Sequence, residues 1–480
     1  MNATITIEGA QARLSGKFPL APVVDATSYF KIGYQFMPRF RQGVWDGRIK
    51  LFSSMKKTFP AGLTFAVKEA LEEAGVRVSL DDRRACPALP PRFKEATTLH
   101  GVSFDYPYDF QLDAMEKMIL GQRGIAAVAT GGGKTEISCL ITACLRLPTL
   151  FLVPGKELLY QIRARFAKRL GLPEREIGVI GDGKWQSGQW ITVATVASLY
   201  QRLSKKKDVA WDLLCGTDLL FIDECHRAGS NSYYDVVGSC DAFFRFGLSG
   251  TPLKRTDGAD LRLIAATGPV LFEMRNKELI ARGVSSEVEV QMLPIRTPDI
   301  PKGTPYPDAY KAGIVTNVYR NRAASLLADK FVREGKSVVI LVKEIAHGWA
   351  LDKRLWTFKQ KSFLTHQFIN GEMDTEVRQR ALQDFASGTL KVLIATSILD
   401  EGVDLPNIEV LIMCGSGKSS IKTLQRVGRG IRLGGTGKLV VVDFIDYHNK
   451  YLLEHSLQRF RDYRDEQCFE IREISLKEAV

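Results

Sequence analysis

The chain has 480 residues, too many for one compact core, so about two to four domains are expected. Its hydrophobic content of 45% is ordinary for a globular protein, and it contains no run of about 18 apolar residues that could span a membrane. The formal net charge of +12 fits either simple solubility or a polyanionic partner, because Lys and Arg release counterions when they bind phosphates.

Residues 1–7 lack the basic and then apolar pattern of a secretory signal, which favours a cytoplasmic protein. The eight cysteines are scattered and include no C-x-x-C pair. We therefore predict neither a zinc site nor a disulfide framework.

Residues 1–92 are predicted to form a small α+β domain. Alternating residues from Ala3 to Glu8 indicate a strand, Asp25 to Phe36 could be a short helix, and Phe65 to Ala74 has helical periodicity. The proline-rich stretch from Pro87 to Pro91 is typical of a linker.

A basic and aromatic segment at residues 36–52 distinguishes this domain. It contains Arg39, Arg41, Trp45 and Arg48. Basic side chains can contact phosphates, and aromatic rings can stack on bases or wedge at a junction, so all four are candidate DNA-binding residues. A hairpin with a buried Trp45 and exposed charges explains the pattern equally well, and both descriptions can hold together.

Two sets of apolar, strand-like runs alternating with helical patterns follow, which predicts two α/β domains with parallel sheets. The first domain, residues 93–295, has predicted strands at 125–129, 149–153, 190–194, 219–222 and 244–248. The second, residues 296–450, has predicted strands at 337–342, 391–395, 409–413 and 438–444. Residues 296–310 are predicted to link the two domains, and residues 451–480 to form a charged helical tail.

A glycine-rich loop follows the first of these strands. Gly131, Gly132 and Gly133 precede Lys134 and Thr135, and a helical pattern comes next. Such a loop turns its backbone N–H groups toward phosphates, while the lysine reaches the β- and γ-phosphates and the threonine hydroxyl can hold Mg²⁺. The strict pattern has glycine or alanine where this chain has Val128.

Two acids end the predicted strand at 219–222. At the carboxyl edge of a parallel sheet, Asp223 could hold Mg²⁺ and Glu224 could activate a water for attack on a γ-phosphate. The pair could instead simply cap the following helix, although the upstream glycine loop makes that less attractive. Ser249 follows the next strand, and Gln111 offers an amide that could recognise adenine or merely face solvent.

Arg426, Arg429 and Arg432 recur every three residues, which places them on one side of a helix. One or two could act as arginine fingers on the γ-phosphate. A solvated basic helix is the alternative, but the two glycines within the run weaken a simple helix.

Taken in order, these segments resemble the motif series of the superfamily 2 helicases across roughly residues 105–445. The matching elements are Gln111, ATGGGKT, FLVPGKELLYQ at 151–161, TVASL at 195–199, DECH, SGTP, VVILVKE at 338–344, ATSILDEGVD and QRVGRGIR. The resemblance implies two RecA-like domains with ATP between them.

The same resemblance assigns roles to individual residues. For ATP and Mg²⁺ these are Gln111, Thr130, Gly131, Gly132, Gly133, Lys134, Thr135, Asp223, Glu224, Gly402, Asp404, Gln425, Arg429 and Arg432. Expected contacts to a nucleic-acid backbone are Pro154, Gly155, Lys156, Thr195, Thr396 and, more weakly, Lys343. Ser249 and Thr251 should couple the two sites. Val128 and Cys225 depart conservatively from the motifs.

The segment at 36–52, followed by this core, resembles the phage branch-migration helicases of the UvsW type. That likeness implies an N-terminal domain that grips duplex DNA and an ATP-driven enzyme, expected to act as a monomer in the host cytoplasm. Its substrates would be forks, Holliday junctions, D-loops or RNA–DNA hybrids in recombination, repair and replication. Residues 249–258 also fit XPB-like and restriction-enzyme translocases, which favours duplex DNA over messenger RNA.

Three hypotheses therefore remain. The first is a branch-migration DNA helicase. The second is a duplex translocase or RNA helicase without branch-migration specificity. The third, a binding module that uses ATP only as a clamp, is disfavoured because Glu224, Arg429 and Arg432 are all present.

Overall fold

The structure is a computed structural model that describes residues 1–89, 108–129, 131–205, 208–250, 253, 260–359, 364–396, 408–415, 438–465 and 468–475. The chain divides into two compact units. The first comprises residues 1–128 and 133–273, and the second comprises residues 129–132 and 274–480. None of the described helices is both long and apolar enough to cross a membrane.

The N-terminal part of the first unit is a small α+β fold. Its elements are β1 (Asn2–Glu8), β2 (Gln11–Gly16), α1 (Leu20–Ala26), β3 (Ser28–Phe30), α2 (Pro38–Arg41), β4 (Arg48–Lys50), β5 (Thr58–Pro60), α3 (Thr64–Glu73) and β6 (Arg77–Asp82). A four-stranded sheet has the order β5-β2-β1-β6, and β3 pairs antiparallel with β4. The helix predicted for residues 25–36 is wrong, because the helix ends at Ala26 and Ser28–Phe30 forms a strand against β4.

The rest of the first unit is built on an eight-stranded sheet of described residues with the order β10-β9-β11-β8-β12-β13-β7-β14. Its elements are α4 (Asp109–Gly121), β7 (Arg123–Val128), α5 (Lys134–Leu145), β8 (Thr149–Val153), α6 (Lys156–Leu170), β9 (Gly178–Gly181), β10 (Lys184–Gln186), β11 (Ile191–Thr195), α7 (Val196–Ser204), α8 (Asp208–Cys215), β12 (Leu219–Asp223), α9 (Asn231–Gly238), β13 (Phe244–Ser249), α10 (Asp260–Thr267) and β14 (Val270–Met274). Strands β9, β11, β8, β12, β13 and β7 run parallel, and all of these except β9 were predicted from the sequence. Strands β7, β8, β11, β12 and β13 are buried along their whole length, which explains their mostly apolar sequences.

The second unit has a parallel sheet of seven described strands in the order β17-β18-β16-β19-β20-β15-β21. Its elements are α11 (Asn276–Ala281), β15 (Glu287–Ile295), α12 (Tyr306–Tyr310), α13 (Val318–Arg333), β16 (Val338–Leu341), α14 (Ile345–Lys359), β17 (His366–Ile369), α15 (Thr375–Ala386), β18 (Val392–Ala395), β19 (Val410–Met413), β20 (Lys438–Asp446), α16 (Lys450–Asp465) and β21 (Glu470–Glu473). Apolar clusters cover both faces of this sheet.

The two α/β sheets and the small N-terminal fold confirm the predicted class, two RecA-like domains preceded by an α+β domain. The predicted boundary at residue 295 needs correction, since β15 pairs with β20 over nine residues and so belongs to the second sheet. The predicted tail at 451–480 also belongs to the second domain, because β21 extends the same sheet beside β15.

The N-terminal fold shares its core with the domain that follows. Ala265 of α10 lies in the same buried cluster as Ile5 and Leu71. The buried Arg123, at the start of β7, donates a hydrogen bond to the Gly9 carbonyl at 3.0 Å. The backbone N–H of Ala10 donates to Asp241 Oδ1 at 2.9 Å. Residues 1–82 are therefore packed onto the first α/β domain as part of one compact unit.

Candidate functional site

The glycine loop at residues 129–133 joins β7 to the start of α5. Gly131 and Gly133 have φ of 91° and 81°, a region that glycine adopts at little cost. The ammonium of Lys134 donates to the Val128 carbonyl at 3.3 Å, so the lysine lies along the inside of the loop. Left-handed glycines directly before the start of a helix suit a phosphate-binding loop, and Val128 is accommodated as a fully buried strand residue.

Gln111 reaches this loop from the first turn of α4. Its side chain is buried, and its Oε1 accepts the Tyr108 N–H at 3.2 Å. A Cβ added to Gly133 would overlap the Gln111 amide nitrogen. The glycine at 133 therefore serves close packing against Gln111 as well as backbone conformation.

Asp223 and Glu224 stand at the carboxyl end of β12. Asp223 is buried, and burial raises the pKa of its carboxyl; the negative charge of Glu224 raises it further, while Lys134 and Arg227 lower it. Glu224 has a left-handed backbone with φ of 47°. A buried carboxylate with too little positive charge around it fits a cation, so the residues present suit Mg²⁺ bound with nucleotide phosphates.

The acidic strand end is connected to Ser249 through His226. Nδ1 of His226 lies 3.3 Å from Glu224 Oε2 and 3.1 Å from Ser249 Oγ. Cys225 lies between these residues in sequence and is fully buried. A Cβ on Gly247 of β13 would lie 3.0 Å from the Cys225 Sγ, so a larger residue at 225 would press against that strand.

The residues expected to contact a nucleic-acid backbone in the first unit lie at one edge of its sheet. Pro154 and Gly155 directly follow β8, Lys156 begins α6, and Thr195 ends the parallel neighbour β11. Lys156 is exposed, whereas Thr195 is buried and its Oγ1 lies 2.9 Å from Ser198 Oγ.

Two further expected contacts lie in the second unit. Lys343 and Thr396 follow the neighbouring parallel strands β16 and β18, which brings them to the same edge of that sheet. Lys343 is exposed, with its Nζ 5.1 Å from the centre of the Tyr310 ring, and Thr396 is buried.

Several predicted site residues lie outside the described residues. They are Thr130, Thr251, Gly402, Asp404, Gln425, Arg429 and Arg432, together with Arg426. Their roles stay predictions from the motif series.

The basic segment of the N-terminal domain separates into exposed and engaged side chains. Arg39 and Arg41 are exposed, and the Nε–H of Arg41 donates to the Gln35 carbonyl at 3.3 Å. Trp45 is half-buried and donates its Nε1–H to the Arg48 carbonyl at 2.9 Å. The guanidinium of Arg48 pairs with Asp25 and lies 4.8 Å from the centre of the Phe30 ring. Trp45 and Arg48 therefore have structural partners. Among the contacts between described side chains, none involves Arg39.

The most exposed apolar side chains of this segment are Phe36 and Val44, whereas the sequence had singled out Trp45. Phe36 is 75% exposed and Val44 is 72% exposed, and both flank the short helix α2 that carries Arg39 and Arg41. Sequence reasoning also missed a hairpin at Asp182–Gly183, although Asp-Gly between short strands is a strong hairpin signal.

Family comparisons agree with this architecture. Residues 106–254 match the family described as type III restriction enzyme, res subunit. Residues 322–434 match the helicase conserved C-terminal domain. Residues 20–81 match the family described as DNA helicase UvsW, N-terminal. Together these matches confirm the motif-based expectation of an ATP-dependent helicase of superfamily 2.

Within that class, the chain resembles the ATP-dependent DNA helicase uvsW of Enterobacteria phage T4, with 25% identity over 92% of this chain and 93% of the relative. A second relative is the DNA 3'-5' translocase XPB2 of Sulfurisphaera tokodaii, with 25% identity over 68% of this chain and 78% of the relative. Among solved structures, S. cerevisiae Dbp5 bound to RNA and ADP BeF3 matches with a TM-score of 0.56 and 16% identity, covering 81% of this chain and 94% of that one, which shows the shared fold.

Proposed function

We propose that this protein is an ATP-dependent DNA helicase that migrates branches in forked DNA, Holliday junctions and D-loops, acting as a monomer in recombination, repair and replication. The observation that carries the proposal is the N-terminal domain. It matches the UvsW family at residues 20–81 and presents Arg39 and Arg41 beside the exposed Phe36 and Val44. Cations next to exposed apolar side chains suit a surface that meets both phosphates and the bases at a branch.

The arrangement in the first unit supports hydrolysis of ATP. The glycine loop would wrap the phosphates with backbone N–H groups, and Lys134 would neutralise the β- and γ-phosphates. Thr135 and Asp223 would hold Mg²⁺, which offsets the phosphate charge during transfer. Glu224 would accept the proton of the water that attacks the γ-phosphate, and the amide of Gln111 would recognise the adenine. The family motifs assign Gly402, Asp404, Gln425, Arg429 and Arg432 to the same site.

Replacing Glu224 tests this assignment. In Glu224→Gln the side chain keeps its size but loses the proton acceptor, so DNA-stimulated ATP hydrolysis should fall by about 10²–10⁴-fold. The control Glu176→Gln changes the charge equally at an exposed position outside the site. Undiminished hydrolysis by Glu224→Gln would sink the role given to Glu224.

A duplex translocase, or an RNA or R-loop helicase, is the second candidate. The likeness to the XPB2 translocase over 68% of the chain favours the translocase form. ATP hydrolysis and strand displacement with Holliday junctions, forks, blunt duplex and RNA–DNA hybrids separate the candidates. Branch migration predicts the highest turnover with junctions and forks, whereas equal stimulation by blunt duplex would favour the translocase.

A further inference from the structure

The short hairpin between β9 and β10 is shaped by its two turn residues. Asp182 and Gly183 have φ of 51° and 75°, and Lys184 pairs with Gly181 across the hairpin. Positive φ at both central residues defines a type I′ turn, for which Asp-Gly and Asn-Gly are the favoured sequences. The turn therefore holds the side chain of Asp182 in a defined place at the end of β9.

That place is the sheet edge at which Pro154, Lys156 and Thr195 also lie. Strand β9 is parallel to β11, so Asp182 follows β9 at the edge where Thr195 ends β11. The two strand ends are in close contact, since a Cβ on Gly181 would lie 2.9 Å from Thr195 Oγ1. The hairpin turn thus continues the surface formed by the residues expected to contact a strand backbone.

Among the described contacts, Asp182 is the one carboxylate that meets the small group formed by Lys156, Tyr160 and Lys184. Its Oδ1 lies 4.0 Å from the Lys156 Nζ, and its Oδ2 accepts the Tyr160 hydroxyl at 3.1 Å. Lys184 completes the group, with its Nζ 5.0 Å from the centre of the Tyr160 ring. Lys156, Asp182 and Lys184 are exposed, so their attraction is screened by water and easily exchanged for another anion.

We propose that Lys184 and Tyr160 extend the strand-binding surface beyond Lys156, and that the Asp182 carboxylate occupies the position of a backbone phosphate until a strand binds. The proposal rests on the proposed function, because it requires a nucleic-acid substrate. Lys156 and the Tyr160 hydroxyl lie next to the carboxylate, and Lys184 lies over the Tyr160 ring, so the three side chains offer donors that a phosphate would take. Binding of a strand then displaces Asp182 from Lys156 and Tyr160.

The proposal is tested by DNA binding. The affinity of the full chain for a fluorescein-labelled synthetic DNA single strand is measured over a range of KCl concentrations. Asp182→Asn should bind about threefold to tenfold more tightly at low salt, because a charge that repels the phosphate is removed. The turn should persist, since asparagine is favoured at the same left-handed position. Lys184→Ala should bind more weakly and lower the salt dependence by about 0.7, the value for one phosphate of a single strand.

Two controls make the same changes in net charge elsewhere in the first unit. Asp212→Asn changes an exposed residue of α8, and Lys168→Ala changes an exposed residue near the other end of α6, about 18 Å from Lys156. The role of the hairpin would be overturned if Asp182→Asn and Lys184→Ala bound DNA as their controls do. It would also be overturned if Asp182→Asn bound DNA more weakly than the wild type. A wild-type chain that binds no DNA strand would instead overturn the proposed function, and the hairpin proposal with it.

Discussion

His226 and Ser249 join the ends of two neighbouring strands, with Nδ1 of the imidazole 3.1 Å from the serine Oγ. His226 follows β12 and Ser249 ends β13, and the two side chains are buried. The same nitrogen lies 3.3 Å from Glu224 Oε2, so a single imidazole faces both the proposed water-activating carboxylate and the proposed coupling serine. A movement of Glu224 on ATP hydrolysis would therefore shift the imidazole ring and change its contact with Ser249.

Ser249→Ala should weaken the coupling between ATP hydrolysis and strand displacement. The change removes a hydroxyl that contacts His226, a contact with a net value of about 0.5–1.5 kcal/mol. We expect the amount of strand displaced per ATP hydrolysed to fall about threefold to tenfold. Ser239→Ala, which removes an exposed hydroxyl bonded to the Asp235 carbonyl, is the control. An unchanged ratio in Ser249→Ala would show that this contact does not couple the two steps.

Removal of Arg39 and Arg41 should weaken binding to branched DNA. Both guanidiniums are exposed, and the double alanine variant should lower the salt dependence of junction affinity by about 1.8, the value for two phosphates of duplex DNA. Lys17→Ala with Arg77→Ala removes two exposed cations of the same domain as a matched control. If both double variants lost the same junction affinity, the loss would be explained by the general change in charge and not by these two arginines. Point variants suit this test because the N-terminal fold shares its core with α10, so a deletion would expose apolar surface.

Gly62→Ala should destabilise the first unit. A Cβ at residue 62 would overlap the Ile264 carbonyl oxygen and lie 2.6 Å from that of Ala265, and both belong to the backbone of α10. Overpacking against backbone should lower the free energy of unfolding by about 1–3 kcal/mol, measured by denaturant titration. Gly238→Ala is the contrasting control. The added Cβ at residue 238 meets no atom within 4 Å, and the substitution replaces a helical glycine of α9, so this variant should not lose stability. Equal stability of the two variants would contradict the close packing inferred at Gly62.

His347 should make the second unit sensitive to acid. Burial, together with the nearby charge of Arg320, lowers the pKa of His347 from 6.5 to about 3, and its Nε2 lies 2.8 Å from Asn321 Oδ1. As the pH falls below 6.5, His347 binds a proton in the unfolded chain but not in the folded chain. The contribution of the neutral His347 to the free energy of unfolding is therefore complete above pH 6.5 and is lost as the pH falls toward 3. At pH 5 the loss should be about 2 kcal/mol.

Unfolding titrations of the wild type and His347→Gln at pH 7.5 and pH 5 measure this effect, the two pH values being chosen to lie about one unit above and about 1.5 units below the ordinary histidine pKa. Glutamine can keep a hydrogen bond to Asn321 but does not titrate. The variant should therefore lose less stability than the wild type between the two pH values. A loss as large as that of the wild type would show that other groups cause the acid sensitivity.

Much of this architecture follows from local pattern. The strands predicted at 149–153 and 219–222 are observed at Thr149–Val153 and Leu219–Asp223, because strands buried on both faces are mostly apolar. The predicted first domain includes residues 287–295, but these form β15 of the second sheet, since a strand sequence does not state which sheet it will join. The hairpin at Asp182–Gly183 carried a recognisable turn sequence, but its importance depends on Thr195 and Lys156, which lie in other elements.

The amino-acid sequence alone determined the fold class, because apolar strands that alternate with helices are local properties. The order of its motifs carried the resemblance to the helicase family, and the roles of the nucleotide-motif residues stay predictions from that resemblance. Tertiary structure decided what those residues meet. Gln111 against Gly133, His226 against Ser249, and Asp182 against Lys156 and Tyr160 are contacts between separate segments of the chain. Such contacts arise from the order in which strands pair in the sheet, and no local pattern records that order.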